Sequence, residues 1–437
     1  PVVSDERYRL IRDIVGDPAL ASALATEIGW AKARGLDPAT YAEGAQRAGR
    51  AVVVSAEQVQ ETFDSYQRAL DRRRAIDLDD LLSLAADALQ FDRAFAEGAS
   101  WRYRHLSVDE FQDVNPAQFR LIRALAGNHN DLCVVGDPNQ AIYGWNGADP
   151  SLLHRLPADV PGMQVLRLDE NHRSTPQVVR AAAEALGRAT VLPPRSRAAD
   201  GPMPLVTAYD DDDAEAEGVA SLLLDRVGDG RSWSDHAVLA RTNEQLALIG
   251  RAFARAGVPY RMAAGAGEAP RWPEGPTADR GGGPTADRGR GPTGGKAEGR
   301  DRGGPGIDPM APGGTGRGAP RAGNDVELAT FHRAKGLEWD SVFVVGLEDG
   351  FVPIAYAEGQ SARAEERRLL YVALTRASRE LHCSWARNRR LGTGRRRERE
   401  PSPWLAAVAR VSRPGTGRPA PGDAGRRIAE LRTVLGR

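Results

Sequence analysis

The chain has 437 residues, of which 41% are hydrophobic, so it can form about three domains with buried cores. Basic and acidic residues are equal at 59 each, which excludes a uniformly polycationic protein. Two distant cysteines, Cys133 and Cys383, exclude a disulfide scaffold. No run reaches the about 18 apolar residues of a membrane helix. The first residues, PVVSDERYRL, lack an initiator Met and a signal-peptide pattern. We therefore expect no membrane partner, a cytoplasmic location and a chain that begins partway through a longer protein.

The amino-terminal 75 residues have mostly helical periodicity, with Leu20, Leu24 and Ile28 at helical spacing. From residue 77 onward, short apolar runs alternate with longer amphipathic stretches. The predicted strands are 105–108, 132–135, 165–168, 237–239, 326–330, 341–345 and 381–385. The predicted helices are 116–126, 175–187, 214–227, 244–256 and 364–378. Such alternation predicts an α/β fold with parallel sheets, whose ligands collect at the carboxyl ends of the strands.

A Gly- and Pro-rich segment, 265–325, interrupts this alternation. Gly and Pro fill 28 of its 61 positions, and GPTADRG occurs twice. The composition predicts a disordered linker that divides the second α/β unit into 170–264 and 326–410. Within it, RGPTGGKA (290–297) resembles a phosphate loop, but Arg290 and Ala297 stand where Gly and Ser or Thr are needed. We reject that motif.

The stretch VDEFQD places Asp109, Glu110 and Asp113 directly after the first predicted strand. An Asp at a strand end can hold Mg²⁺, usually through water, while substrate phosphates supply other ligands. The adjacent Glu can orient or deprotonate an attacking water. For Asp113 the alternative is structural, because Asp113 or Asn115 could cap the helix predicted from Pro116.

The stretch VVGDPNQAIYGWNGAD (134–149) follows the second strand. Gln140 stands where a neutral side chain can sense a phosphate. Tyr143 and Trp145 suit stacking on unpaired bases, at about 1–3 kcal/mol per base. The alternative is that both aromatic side chains pack in a domain interface.

Further polar residues suit phosphates and nucleic acid. Arg173 and Arg376 could stabilise the charge of phosphoryl transfer, whereas an arginine taken singly is ordinarily a solvated or ion-paired structural residue. Thr330, His332 and Lys335 follow a strand, where they could donate to nucleic-acid phosphates. Twelve Arg against five Glu in residues 361–400 predict a local basic surface.

Seven strings, in order, resemble those of superfamily 1 DNA helicases of the UvrD/PcrA/Rep type. They are IDLDDLL, VDEFQD, GDPNQAIYGWNGA, LRLDENHRST, LARTNEQ, ATFHRAKGLEWDSVFVVGLEDGFVP and EERRLLYVALTRA. The resemblance implies two RecA-like P-loop NTPase domains, the first incomplete, and a partial helical accessory domain. The expected divisions are 1–75 for the accessory remnant, 76–169 for the first RecA-like domain, 170–264 and 326–410 for the second, 265–325 for the linker and 411–437 for a flexible tail.

The resemblance also implies ATP and Mg²⁺ as cofactors. On the nucleotide side, Asp109 would hold Mg²⁺ and Glu110 would activate the hydrolytic water. Gln140 would couple the γ-phosphate to the DNA site. The residues implied at the γ-phosphate and the ribose are Arg173, Arg376 and Glu338.

On the DNA side, Tyr143 and Trp145 would stack on single-stranded bases, and Thr330 and His332 would lie near the backbone. The implied function is unwinding of duplex DNA in repair or replication by 3′-5′ movement on single strands, with single-strand/duplex junctions as partners. Two departures weaken the pattern: His172 stands where Tyr is usual, and Asn146 where Arg is usual.

The family's phosphate loop, adenine motif and first DNA motif are absent from these residues. We therefore expect this chain by itself to hydrolyse ATP weakly or not at all. The alternative is a non-catalytic single-stranded DNA-binding or interaction module. A helicase–nuclease ranks last, because no acidic nuclease cluster follows residue 410.

Overall fold

The computed structural model describes residues 2–50, 54–127, 131–187, 194–228, 230–263, 323–390 and 396–415. Nearly all of the predicted linker and most of the predicted tail lie outside these ranges. Among the described residues, no helix is long and apolar enough to cross a membrane.

The first part of the chain is a helical unit. Asp17 and Ser55 cap the second and fourth helices with their side chains, as short polar residues do at helix starts. The apolar faces of the four helices of this unit meet in one core that includes Leu24, Ile28 and Phe63. The helices are α1 (Arg7–Val15), α2 (Pro18–Ala33), α3 (Tyr41–Arg47) and α4 (Ala56–Arg72). Strands β1 (Val2–Val3) and β2 (Ala75–Ile76) pair in parallel and join its two ends.

The next part, the first α/β unit, contains a two-stranded parallel sheet. Asn115 and Gln118 form the capping box of the helix that follows its first strand, so Asn115 and not Asp113 is the cap. The elements are α5 (Leu78–Phe91), α6 (Arg93–Arg102), β3 (Leu106–Val108), α7 (Pro116–Ala126), β4 (Leu132–Val134) and α8 (Ser151–Asp159). A small core around Phe111 packs against α8.

The strand predicted at 165–168 is wrong. Residues 165–169 have no regular structure, and Val165, Leu166 and Leu168 are 68%, 83% and 85% exposed. An apolar run becomes a strand only where a neighbouring strand accepts its hydrogen bonds, and within the described residues this run pairs with none. The pairing begins instead at β5 (Glu170–Asn171), which lies beside β6 (Arg195–Ser196).

The second α/β unit is built on a seven-stranded, fully parallel sheet in the order β15-β7-β12-β11-β8-β10-β9. Its strands are β7 (Leu205–Tyr209), β8 (His236–Ala240), β9 (Tyr260–Met262), β10 (Val326–Thr330), β11 (Trp339–Val344), β12 (Ala377–Ala386) and β15 (Arg413–Pro414). Its helices are α9 (Pro176–Leu186), α10 (Asp212–Gly228), α11 (Asn243–Ala256), α12 (Gly359–Leu374) and α13 (Leu405–Ala409). Strands β13 (Asn388–Arg390) and β14 (Arg396–Glu398) pair in antiparallel orientation.

The central strands read as continuous apolar runs because helices cover both faces of the sheet. One core contains Leu239, Val342 and Val344, and the other contains Val238 and Phe343. This confirms the predicted α/β class with a parallel sheet.

Two predicted boundaries in this unit are wrong. The helix predicted at 364–378 ends at Leu374, because residues from Ala377 onward pair with β11 as β12. The flexible tail cannot begin at 411, since Arg413 and Pro414 add an edge strand to β7. Asn324, at the end of the predicted linker, accepts a hydrogen bond from Ser232.

Candidate functional site

The carboxylates predicted to serve a metal ion stand where β3 ends. Asp109 and Glu110 are both exposed. Glu110 has a left-handed backbone, with φ of 53°, which is strained for a residue with a side chain. Its N–H donates to Asp109 Oδ1 at 2.8 Å, and the buried Gln112 donates to its carboxylate. Backbone and side chain therefore hold both acids at the strand end in one orientation.

The phosphate-sensing candidate, Gln140, is fixed by the loop after β4. Asp137 accepts a hydrogen bond from Gln140 Nε2 at 2.9 Å. The N–H of Asp137 in turn donates to Gln112 Oε1 at 2.9 Å. This chain of hydrogen bonds links the loops that follow β3 and β4.

Arg376 reaches across from the second α/β unit. Its Nη2 donates to Gln140 Oε1 at 3.3 Å, while Nε and Nη1 donate to the carbonyls of Val372 and Leu337 at 3.0 and 3.2 Å. Arg376 is only 2% exposed, and burial, reinforced by Arg173, lowers its pKa to about 10. A buried guanidinium therefore contacts Gln140 at the boundary between the two α/β units.

The remaining two residues predicted at the nucleotide contact each other. Arg173 follows β5, Glu338 precedes β11, and their side chains form an ion pair. Both remain about 40% exposed. Arg173 lies close enough to Arg376 to affect its pKa, so the two arginines belong to one electrostatic site.

The sequence did not predict that Lys335 lies beside the acids that follow β3. It was predicted to donate to nucleic-acid phosphates, yet its Nζ lies 3.3 Å from Glu110 Oε2 and pairs with Asp113. It also donates to the carbonyl of Gln140 at 2.9 Å. The side chain of Lys335 is 7% exposed, so its cation is largely shielded from solvent and is shared by two acids of the first α/β unit. Asp113, which does not cap α7, takes part in this ion pair instead, and burial raises the pKa of its carboxyl.

The DNA-side candidates form an aromatic group. The rings of Tyr143 and Trp145 lie 6.4 Å apart, and the ring of His332 lies edge-on to Trp145 at 6.5 Å. Trp145 is 39% exposed. Burial, with Arg241 nearby, lowers the pKa of His332 to about 3, so His332 is neutral at physiological pH. Thr330, at the end of β10, is partly buried two residues before His332.

The helical unit also holds this aromatic loop. Arg50 pairs with Glu27 at 2.7 Å and donates to the carbonyl of Trp145 at 3.3 Å. Arg34 pairs with Asp149 at 3.3 Å. Asn146, which replaces the usual Arg, lines a cavity of about 190 Å³ with Asp113 and Tyr143.

The predicted basic surface at 361–400 is only partly present. Its exposed arginines Arg387, Arg390 and Arg396 pair with an acidic run, at 3.1, 3.3 and 3.0 Å. The acids of that run are Asp210, Asp213 and Asp211. Such exposed pairs are weak, but they reduce the positive charge that a polyanion would meet.

The donor set fits a nucleotide-bound Mg²⁺. Mg²⁺ is usually held by one or two carboxylates together with substrate phosphates. Asp109 offers an exposed carboxylate, and Glu110 stands beside it. Within the described ranges, no cluster of three or more His, Cys, Asp or Glu side chains could hold a metal ion by itself.

Comparison with known proteins gives matches along both α/β units. The family model of the UvrD/REP helicase N-terminal domain matches residues 11–161. The model of the UvrD-like helicase C-terminal domain matches residues 166–266 and 316–388. The ATP-dependent DNA helicase UvrD2 of Mycobacterium tuberculosis is 35% identical over 92% of this chain and 65% of its own length. The ATP-dependent DNA helicase PcrA of Staphylococcus epidermidis is 32% identical over 46% of this chain and 28% of its own. The chain thus spans slightly less than two thirds of the relatives named UvrD2.

Proposed function

Because this chain belongs to the UvrD-like helicase family and has its RecA-like fold, we propose that it forms the larger part of an ATP-dependent DNA helicase. The enzyme would move 3′-5′ along single-stranded DNA and unwind duplex DNA at single-strand/duplex junctions, in repair or replication. As an enzyme acting on DNA, it would work in the cytoplasm.

The observation that carries this proposal is the contact between Arg376 and Gln140. The two residues are 236 positions apart and belong to different α/β units, yet they lie 3.3 Å from each other. An arginine supplied across a cleft stabilises the charge that develops in phosphoryl transfer. A nucleotide at this contact would draw the two units together, and its hydrolysis would release them.

Each residue of the site then has a task. Asp109 would hold Mg²⁺, which would supply positive charge against the phosphates. Glu110 orients and deprotonates the attacking water, since it stands beside Asp109 and its backbone is fixed. Arg173 and Arg376 bind the γ-phosphate, and Glu338 is released from Arg173 to meet the ribose. Tyr143 and Trp145 stack on bases, while Thr330 and the neutral His332 lie near the DNA backbone.

We further propose that the phosphate cradle is supplied by a segment of the protein beyond these 437 residues, so that this chain by itself has weak or no ATPase activity. The domain divisions implied by the resemblance belong to the same proposal, with the corrected sheet edge at Arg413–Pro414. The helical unit would be the remnant of an accessory domain.

The test is ATP hydrolysis with Mg²⁺ and single-stranded DNA, measured for this chain and for the full-length protein that contains it. Only the full-length protein should show DNA-stimulated turnover. Glu110→Gln should lower its kcat at least about 100-fold, because a general base contributes 10²–10⁴. Asp159→Asn, an exposed carboxylate at the end of α8, serves as the matched control and should change nothing.

Polarity is tested by displacement of streptavidin from biotinylated oligonucleotides. Movement in the 3′-5′ direction should clear the 5′ end and spare the 3′ end. If the full-length protein binds single-stranded DNA but shows no stimulated turnover, the alternative of a non-catalytic binding module replaces the motor. If Glu110→Gln keeps its turnover, the assignment of the general base is wrong.

A further inference from the structure

The segment from Gln140 to Trp145 connects the residue assigned to the nucleotide with the side chains assigned to DNA. We propose that Glu365 and Arg368, on α12 of the second α/β unit, are positioning residues that hold this segment and thereby orient the Tyr143–Trp145 pair. This role rests on the function proposed above and adds two residues to its DNA site.

Glu365 and Arg368 together form what we call the clamp, and Arg368 makes its first contact. Its Nε donates to the carbonyl of Ala141 at 2.7 Å, across the boundary between the two units. Arg376, just beyond the end of α12, contacts the side chain of the preceding residue, Gln140, at 3.3 Å. Arg368, in the carboxyl-terminal half of α12, and Arg376, two residues beyond its end, thus meet two consecutive residues of the segment.

Glu365 makes the second contact, one helical turn before Arg368. Its carboxylate interacts with the backbone amides of Trp145 and Gly144. The approach is so close that a Cβ on Gly144 would lie 2.5 Å from Glu365 Oε2. Only a glycine fits there without moving the carboxylate. Burial raises the pKa of Glu365, while Arg368 and the two amides oppose that rise.

The spacing of these contacts explains why they act together. Residues three apart on a helix lie on the same face, so Glu365 and Arg368 point to one side of α12. Their targets, residues 144–145 and 141, lie along the same short stretch of the first α/β unit. Arg367 points elsewhere: it donates to the carbonyl of Ala185 and lies over the ring of Trp404, both in its own unit. A displacement of α12 would therefore carry the aromatic pair through Glu365 and Arg368.

The experiment measures the affinity of the full-length protein for fluorescein-labelled oligo(dT) by anisotropy, at one fixed salt concentration. Arg368→Ala should weaken binding about tenfold, because a charged hydrogen bond that fixes a stacking side chain is lost. Arg367→Ala, next to it on the helix, is the matched control and should stay within twofold. Glu365→Gln keeps an acceptor for the amides and should bind nearly as wild type, whereas Glu365→Ala should weaken binding like Arg368→Ala.

A double-mutant cycle separates positioning from general damage. If Arg368 acts through the aromatic pair, its removal from a Trp145→Ala background should cost less than twofold in affinity. Gly144→Ala tests the same contact from the opposite unit, with both side chains of α12 intact, and should weaken binding about threefold. It decides the matter if a variant of α12 fails to fold.

The outcomes are distinct. If wild-type protein does not bind oligo(dT), the proposed function is overturned and this role with it. If wild type binds and Trp145→Ala weakens binding, but folded Arg368→Ala stays within twofold, only the clamp is overturned. An equal loss in Arg367→Ala, or a full loss persisting in the Trp145→Ala background, also overturns it.

Discussion

Replacing Asp77 with Asn should destabilise the junction between the helical unit and the first α/β unit. Asp77 is 2% exposed, and its Oδ2 accepts from Lys32 at 2.8 Å, Arg7 at 3.0 Å and Tyr66 at 2.9 Å. Its Oδ1 caps α5 by accepting from the N–H of Asp80 at 2.9 Å. The two cations hold the pKa of this buried carboxyl well below its usual range.

The size of the effect follows from these contacts. Asn keeps an oxygen for the helix cap, but its amide nitrogen replaces Oδ2, so both the charge and the acceptor for Lys32, Arg7 and Tyr66 are lost. Removing one partner of a buried ion pair costs about 3–5 kcal/mol, because the other charge stays buried. Lys32 keeps a second partner, Asp80 at 2.7 Å, so the lower value of about 3 kcal/mol applies. Because the folded pKa is depressed, the stabilisation is present above about pH 4 and is lost as the pH falls below it.

The measurement is the free energy of unfolding of wild type and Asp77→Asn in urea, at pH 7 and at pH 3. The matched control is Asp92→Asn, an Asp at the N-cap of α6 that is exposed and whose hydrogen bond to Phe95 is 3.0 Å. It should cost less than about 0.5 kcal/mol. If Asp77→Asn costs no more than this control at pH 7, the buried ion pairs do not stabilise the junction.

Two further changes address the site and the second sheet. Arg376→Lys keeps the charge but removes the two guanidinium nitrogens that donate to Leu337 and Gln140. The kcat of the full-length ATPase should therefore fall at least about 10³-fold, with DNA affinity unchanged. A variant that keeps more than a tenth of wild-type turnover would contradict a γ-phosphate role. Burial lowers the pKa of His236 to about 4, so the unfolded chain binds a proton near pH 5 that the folded chain does not. The free energy of unfolding should therefore fall by up to about 2 kcal/mol between pH 6.5 and 5 because of this group. In urea titrations, the free energy of unfolding of His236→Leu should depend less steeply on pH than that of wild type. An unchanged dependence would refute the lowered pKa of His236.

The sequence by itself determined the elements that depend on local signals. Runs such as HAVLA and VELAT are apolar throughout because both faces of a parallel sheet are covered, and they became β8 and β10. The positions of Asp109, Glu110 and Gln140 after strands also followed from spacing alone. The family resemblance, carried by strings of adjacent residues, is confirmed by the family matches.

Only the tertiary structure decided which of these residues meet. Lys335 and Asp113 are 222 positions apart, and nothing in the local sequence of either residue specifies the other. The local sequence likewise does not specify the partner of Arg368. Arg368 donates to Ala141 of the first α/β unit, whereas its neighbour Arg367, with the same side chain, donates to Ala185 of its own unit. The run at 165–168 failed as a strand for the same reason, because pairing depends on a partner strand that its own residues do not encode. Apolar periodicity fixes what a segment can become, whereas the packing of distant elements fixes what its side chains touch.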